Sequence, residues 1–252
     1  MRTGKLSRFH ILTALAIALC VVVPMWWLVV AVYIVVVALG VTFPQWQLFG
    51  PSRCCVVTNE KVVALTFDDG PDPEVTPALL AVLEEAGIRA VFFCVGQRVA
   101  QHPELARQIV AAGHLLGNHS HAHRYTTNLL SRRQLEADLS RAQEEIGRCT
   151  GVRPTLFRSP MGLTNPRLFR VLAHLNLPMI GWTVRGRDKG AASPAVIVRR
   201  IRRGVRPGAI ILLHDGGATG NVLLPAVRQL IGELKDQGFR IVRLDEMLAM
   251  EQ

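Results

Sequence analysis

The chain has 252 residues, with 29 lysines and arginines against 19 aspartates and glutamates and a net charge of +10. Half of the residues are apolar, which is not extreme for a globular protein, and beyond the first fifty residues about 200 remain, enough for one domain with a single buried core. The 5 cysteines, Cys20, Cys54, Cys55, Cys94 and Cys149, lack C-x-x-C spacing, which excludes a cysteine zinc site or dithiol redox motif. They read as unpaired thiols of a reducing compartment, with one disulfide among the last four as the alternative.

In chain order, the first segment is a membrane candidate. No Asp, Glu, Lys or Arg occurs between Arg8 and Arg53. A spanning helix needs about 20 apolar residues. This run is too long for one crossing and long enough for two. Pro24 interrupts it, Trp26 and Trp27 follow at once, and Trp46 stands at the far end, where tryptophan favours the headgroup level. Residues 1–50 are therefore expected to form a transmembrane helical hairpin, with helices over about 6–23 and 27–45. A signal peptide fits less well, because no small-x-small cleavage site followed by polar chain interrupts the apolar run. Arg2, Lys5 and Arg8 are expected on the cytoplasmic side. A hairpin returns the following domain, residues 51–252, to that face of a bacterial-type plasma (inner) membrane. A single kinked span would put the domain outside.

From Pro51 onward short apolar runs alternate with helix-like stretches. Strands are expected at 61–67, 90–95, 115–117, 155–158, 179–184, 209–213 and 240–242. Helices are expected at 74–86, 103–112, 131–149, 166–175, 194–203 and 222–237, with a short terminal helix after the last strand. Gly87 and Gly113 close two of them, and Ser131 is an N-cap candidate. Such alternation predicts an α/β fold with a parallel sheet, open or closed into a barrel. In a barrel the strand C-terminal ends carry the site.

The polar motifs fall at those ends. TFDDG ends one strand with the carboxylates Asp68 and Asp69. NHSHAH follows another and holds His119, His121 and His123; His119 and His123 are spaced to share one face of a helical turn. Imidazole is a common zinc ligand, and catalytic zinc keeps an open position beside three protein ligands. A carboxylate with these two histidines would complete such a set. FRSPMG carries Arg158, whose charge would keep a nearby aspartate ionised. ILLHDG carries His214, a candidate general acid because its pKa lies near neutrality.

Taken together, TFDDGPDP, RAVFFCVG, GHLLGNHSHAH, FRSPMG and ILLHDG resemble, in order, the motifs of the NodB-homology polysaccharide deacetylases, carbohydrate esterase family 4. The resemblance runs from about Val62 to the C-terminus. It implies a distorted, incomplete (β/α) barrel and a hydrolase that removes N-acetyl groups from amino sugars. It also implies a divalent metal, first of all Zn2+. On this resemblance Asp68 falls on the catalytic base, and Asp69, His119 and His123 on the metal ligands. Arg158 falls on the residue holding the base, His214 on the acid and Asp188 on its orienting partner. Met161 stands where the family usually has tyrosine and would offer its backbone N–H to the oxyanion. Leu212 falls on the leucine of the acetyl pocket.

Two departures lie on the substrate side. Lys189 stands where the family often has tryptophan, and Arg185, Gly186 and Arg187 make the preceding stretch basic. A basic groove suits an anionic substrate, such as a phosphate-linked sugar. The expected partners are an N-acetylated carbohydrate, in one reading lipid-linked and deacylated at the cytoplasmic face, and membrane lipid. The cluster Arg199, Arg200, Arg202, Arg203 and Arg206 reads as a solvated or lipid-facing surface, and no nucleic acid is expected. A non-catalytic, membrane-bound sugar-binding module is the reading from a different class. His102, His114, His121 and His174 read as structural or surface residues.

Overall fold

The computed structural model describes residues 7–251. Arg2, Lys5 and Leu6, which figure in the expected topology and first helix, lie outside the described residues.

Helix α1, Arg8–Val22, turns at Pro24 into α2, Trp26–Thr42. Apolar side chains point outward around both helices, among them Val21, Val22, Trp26, Trp27, Val32 and Ile34. The Thr13 and Tyr33 hydroxyls join the two helices at 3.0 Å. The expected transmembrane pair needs correction: among the described residues no helix is long and apolar enough to cross a membrane. The physical reason is length. At 1.5 Å per residue, helices of 15 and 17 residues reach roughly 23 and 26 Å, short of the ~30 Å hydrocarbon core. The Pro24 turn shortens the first helix, and a tight turn at Pro44–Trp46 ends the second early. The hairpin base is tied to the rest of the molecule. Thr164 donates from its N–H to the Val41 carbonyl at 2.9 Å, and the Phe9 N–H donates to the Leu48 carbonyl at 3.0 Å.

Beyond the hairpin lie β1 (Ser52–Arg53), β2 (Val62–Asp68), β3 (Val91–Cys94), β4 (Leu115–Asn118), β5 (Met179–Ile180), β6 (Val184–Arg185), β7 (Ala209–His214) and β8 (Arg240–Ile241). Around them pack α3 (Thr76–Glu85), α4 (Gly96–Gln101), α5 (Pro103–Ala111), α6 (Arg132–Thr150), α7 (Pro166–Leu175), α8 (Pro194–Gly204), α9 (Gly220–Asp236) and α10 (Leu244–Ala249). The main sheet runs β4-β3-β2-β7-β6, with its strand pairs parallel. Phe157 bridges Asn118 on one side and Met179 on the other, and so carries the sheet from β4 to β5. β5 and β6 belong to one run of chain, so this run closes the ring back onto β7. The result is the expected α/β barrel, distorted and incomplete.

The expected strand at 155–158 is reduced to the bridges at Phe157. The run expected at 179–184 splits at Gly181, whose N–H is drawn to the Arg53 carbonyl at 2.9 Å. Ser131 does cap α6, in a reciprocal box with Gln134.

Strand alternation sorts the side chains. Val63, Leu65 and Phe67 of β2 join Ile211 and Leu213 of β7 in the layer under the helices. Val62 and Ala64 join Phe93 and Ile210 inside the ring. Each such fully buried large apolar side chain contributes about 1.5–3 kcal/mol. By the same period of two, Thr66, Asp68, Leu212 and His214 face inward, toward the mouth at the strand C-terminal ends.

Candidate active site

Asp68 is the last residue of β2 and lies opposite His214 in the register with β7. Asp69 takes a left-handed backbone, φ +73°, so the chain turns at the strand end and both carboxylates reach the mouth. That turn is locked from below. A Cβ on Gly70 would overlap the Asp215 carboxylate, so this position requires glycine. Asp215 accepts from the Thr76 hydroxyl at 2.7 Å, and its own N–H and that of Gly216 donate to the Asp68 carbonyl at 3.2 Å. Burial, with Asp69 and Asp68 nearby, pushes the Asp215 carboxyl up to about 7. Asp215 directly follows His214 in the ILLHDG motif, and only the closed fold reveals its place beneath Gly70.

Arg158 is fully buried, with its guanidinium centre 4.2 Å from the Phe93 ring centroid. Its NH1 donates to Asp68 Oδ1 at 2.8 Å and to Thr66 Oγ1 at 2.7 Å, and its NH2 donates to the Gly181 carbonyl at 2.8 Å. A buried guanidinium is tolerable when paired and bonded in this way. Asp68 Oδ1 is thereby engaged, while Oδ2 lies 3.9 Å from His119 Nε2.

His119 follows β4, and its Nδ1 donates to the Arg158 carbonyl at 2.8 Å. A carbonyl accepts only, so the neutral ring keeps its proton on Nδ1 and turns the Nε2 lone pair outward. His123 reaches the same point by a route the sequence did not show. The segment is a loop, not a helical turn: Ser120 and His123 have φ +65° and +44°, and the Ser120 hydroxyl accepts from the His123 N–H at 3.0 Å. Asn118 pins the start of the loop through Leu139 and Gln143 of α6. The two imidazole rings end 4.9 Å apart.

Asp69 Oδ1 faces His119 Nε2 at 3.1 Å and His123 Nε2 at 2.9 Å, and it is buried without a satisfied hydrogen bond. The ligand atoms of these residues lie within 4.8 Å of one another. Burial pushes the Asp69 carboxyl up, but the two histidines more than reverse this and hold it well below the usual carboxylate range. Burial likewise disfavours a charged His119, yet Asp68 and Asp69 draw its net shift upward. Both directions express the same attraction between the carboxylates and the imidazoles. One carboxylate oxygen and two imidazole nitrogens converging with an open side fit a divalent cation. Lys189 contributes an unforeseen element: its ammonium pairs with Asp69 Oδ2.

His214 is held twice by Asp188. Its backbone N–H donates to Oδ2 at 2.8 Å and its Nδ1 to Oδ1 at 3.0 Å, which leaves Nε2 as the free ring nitrogen. Burial lowers the His214 pKa, but Asp188, with Asp68 and Asp69 behind it, raises it above the ordinary value. Leu212 is buried on the inward face of β7. Met161 sits in the turn Pro160–Gly162 with φ +56°, and the residue is 41% exposed.

The remaining histidines lie apart from this constellation. His114 accepts the Ala90 N–H at 3.0 Å, and burial, with Arg89 and Arg243, lowers its pKa to about 4. His174 pairs with Glu136 at 2.6 Å. His121 is buried against Gly96, and His102 joins α4 to α5.

Comparison with known proteins agrees with this architecture. The polysaccharide deacetylase family matches residues 56–180. A peptidoglycan-N-acetylglucosamine deacetylase of Bacillus cereus is 36% identical over 195 residues, which is 77% of this chain and 91% of that protein. The crystal structure of a peptidoglycan N-acetylglucosamine deacetylase superposes with a TM-score of 0.76 at 27% identity, over 84% of this chain and 99% of that one. A carbohydrate esterase family 4 pseudoenzyme from Bacillus anthracis superposes with a TM-score of 0.74 at 27% identity, over 80% of this chain and 70% of that one. The same fold thus also occurs in a pseudoenzyme, so the chemistry of this chain follows from its own residues and not from its fold. The chain belongs to the polysaccharide deacetylase family, hydrolases that act on N-acetyl amide bonds.

Proposed function

We propose that the chain is a metal-dependent N-deacetylase of amino sugars in a polysaccharide or oligosaccharide. Asp68 is its base and His214 its acid. The observation that carries this reading is the pairing of each group with its own holder, Arg158 for Asp68 and Asp188 for His214, at the strand ends that also carry Asp69 of the Asp69–His119–His123 cluster.

A divalent ion held by Asp69, His119 and His123, most simply Zn2+, supplies a Lewis acid and makes water a better nucleophile at neutral pH. Asp68, held through Oδ1 by Arg158, accepts the proton of the attacking water through its other oxygen. The acetyl methyl packs against Leu212, and the Met161 N–H donates to the developing oxyanion. His214 gives its proton to the sugar nitrogen as the C–N bond breaks, leaving acetate and a free amine. Acetate release from N-acetylglucosamine oligomers, abolished by chelator and restored by zinc, tests this reading; inert zinc-loaded protein would leave the non-catalytic sugar-binding module.

The His214–Asp188 pair makes a pH prediction. An acid must carry its proton, so activity falls as pH rises through the His214 pKa. Asp188→Asn removes the leading influence that raises it, and the alkaline limb of kcat/KM is expected to move to lower pH. An unmoved limb would assign the acid elsewhere.

Lys189 makes another. Its ammonium shares Asp69 with any bound cation, so Lys189→Gln is expected to tighten zinc binding about fivefold, the equivalent of ~1 kcal/mol for a part-exposed ion pair. Competition with a fluorescent chelator measures this, and unchanged affinity would deny the coupling.

The hairpin supports membrane attachment as part of the same proposal. Its outward apolar side chains and the absence of Asp, Glu, Lys or Arg after Arg8 suit insertion into a lipid leaflet. This favours a lipid-linked amino sugar as the second substrate reading. Full-length protein is expected to float with anionic vesicles at high salt, and Ile17→Asp with Val21→Asp to release it. Flotation unaffected by these substitutions would remove the hairpin from membrane binding.

A further inference from the structure

We propose that Arg185, Arg187 and Lys189 recognise an oxyanion substituent, phosphate or carboxylate, on the amino sugar whose acetyl group is removed. This rests on the deacetylase reading above and names its substrate class.

The placement follows from strand alternation. Val184 packs toward the helix layer, and a Cβ on Gly186 would enter the contact with Leu213, Ile197 and Ile201 of that same layer. Arg185 lies between them, so it takes the opposite face. Its register partner is Leu212, whose side chain lies on the inward face assigned to the acetyl pocket. The segment then turns at Arg187, with φ +49°, and delivers Asp188 to His214. Arg187 and Lys189 therefore flank the holder of the proposed acid, each about 3.8 Å along the chain from it.

The charges here are concentrated and only partly answered. Among the described residues, neither Arg185 nor Arg187 makes an ion pair, and both side chains belong to exposed residues. Partial desolvation of its guanidinium, and then the like charge of Arg187, depress the Arg185 pKa. An incoming oxyanion relieves that repulsion and accepts the parallel N–H bonds of a guanidinium. The backbone is braced for such a role. Arg200 of α8 donates from NH1 to the Gly186 carbonyl at 3.3 Å and to the Arg187 carbonyl at 3.0 Å. Other rim cations differ: Arg98, for example, is already paired with Asp72. Lys189 adds a third positive group, shared with Asp69 at the mouth.

The test compares three tetramers with zinc-loaded, full-length protein. They are a neutral N-acetylglucosamine tetramer, the same tetramer bearing a phosphate, and one alternating with N-acetylmuramic acid, which bears a carboxylate. The measured quantity is kcat/KM for acetate release, taken as the ratio of charged to neutral substrate. The inference predicts a ratio above one for at least one charged tetramer at low salt, and the charged tetramer that gains identifies the oxyanion. The ratio should shrink as salt rises and fall about tenfold in the Arg185→Gln, Arg187→Gln double variant. A ratio of one in the native protein, or a ratio the double variant leaves unchanged, overturns it. Arg187→Gln alone, at an exposed side chain, keeps the test available if the double variant fails to fold. If no tetramer releases acetate, the deacetylase reading fails separately. Calorimetric binding of the phosphate and carboxylate tetramers to native and variant protein then still decides whether these arginines hold an anion.

Discussion

Asp68→Asn is expected to retain equimolar zinc and to lose kcat by about 10²–10⁴-fold, the usual contribution of a positioned general base. Asp68 reaches the site from the end of β2, but the metal cluster is built from Asp69, His119 and His123. The substitution keeps shape and an acceptor oxygen for Arg158 NH1 while removing the ability to take a proton. It also leaves the fully buried Arg158 without its counter-charge. Breaking a buried pair costs up to about 3–5 kcal/mol, so a lowered Tm is expected, and assays belong well below it. The retained hydrogen bond should keep the cost under that limit. Metal content by atomic emission, beside acetate release, checks both halves. A metal-loaded variant with native kcat would show that Asp68 is not the base.

His119→Ala is expected to lose metal and turnover together, with zinc affinity down by more than about 100-fold. Removing partners that merely orient a ligand already costs 10–100-fold. His119 supplies one of the converging nitrogens, and the Arg158 carbonyl fixes which ring nitrogen that is. Its loss leaves His123 and Asp69, and the Lys189 ammonium then competes for Asp69 with less opposition. Excess zinc should restore little activity. Native zinc affinity in this variant, with or without turnover, would place the metal elsewhere.

Much of the site was legible because period-two alternation and strand ends are written into the sequence. TFDDG, FRSPMG and ILLHDG place Asp68, Arg158 and His214 at one mouth once their runs pair in parallel, and the register aligns Asp68 with His214. What was not legible depends on backbone conformation or on distant partners. The spacing of His119 and His123 suggested a helical turn, but left-handed residues at Ser120 and His123 bring the rings together instead. The break at Gly181 reflects contact with the Arg53–Cys54 segment, far away in sequence. The Lys189–Asp69 pair and the Asp215 carboxylate beneath Gly70 likewise exist only once the ring is closed. In the hairpin, the absence of charge marked the segment and Pro24 its turn, but apolar length overstated helix length. Pro44 opens a tight turn where the expected second helix was still running.

The most direct measurement is the joint yield of acetate and free amine from N-acetylglucosamine oligomers, with full-length protein as purified, after chelation, and after zinc is returned. The account predicts equal amounts of the two products, no product after chelation, and recovery with zinc. Product formation that persists undiminished in chelated protein, or acetate without matching amine, would contradict it.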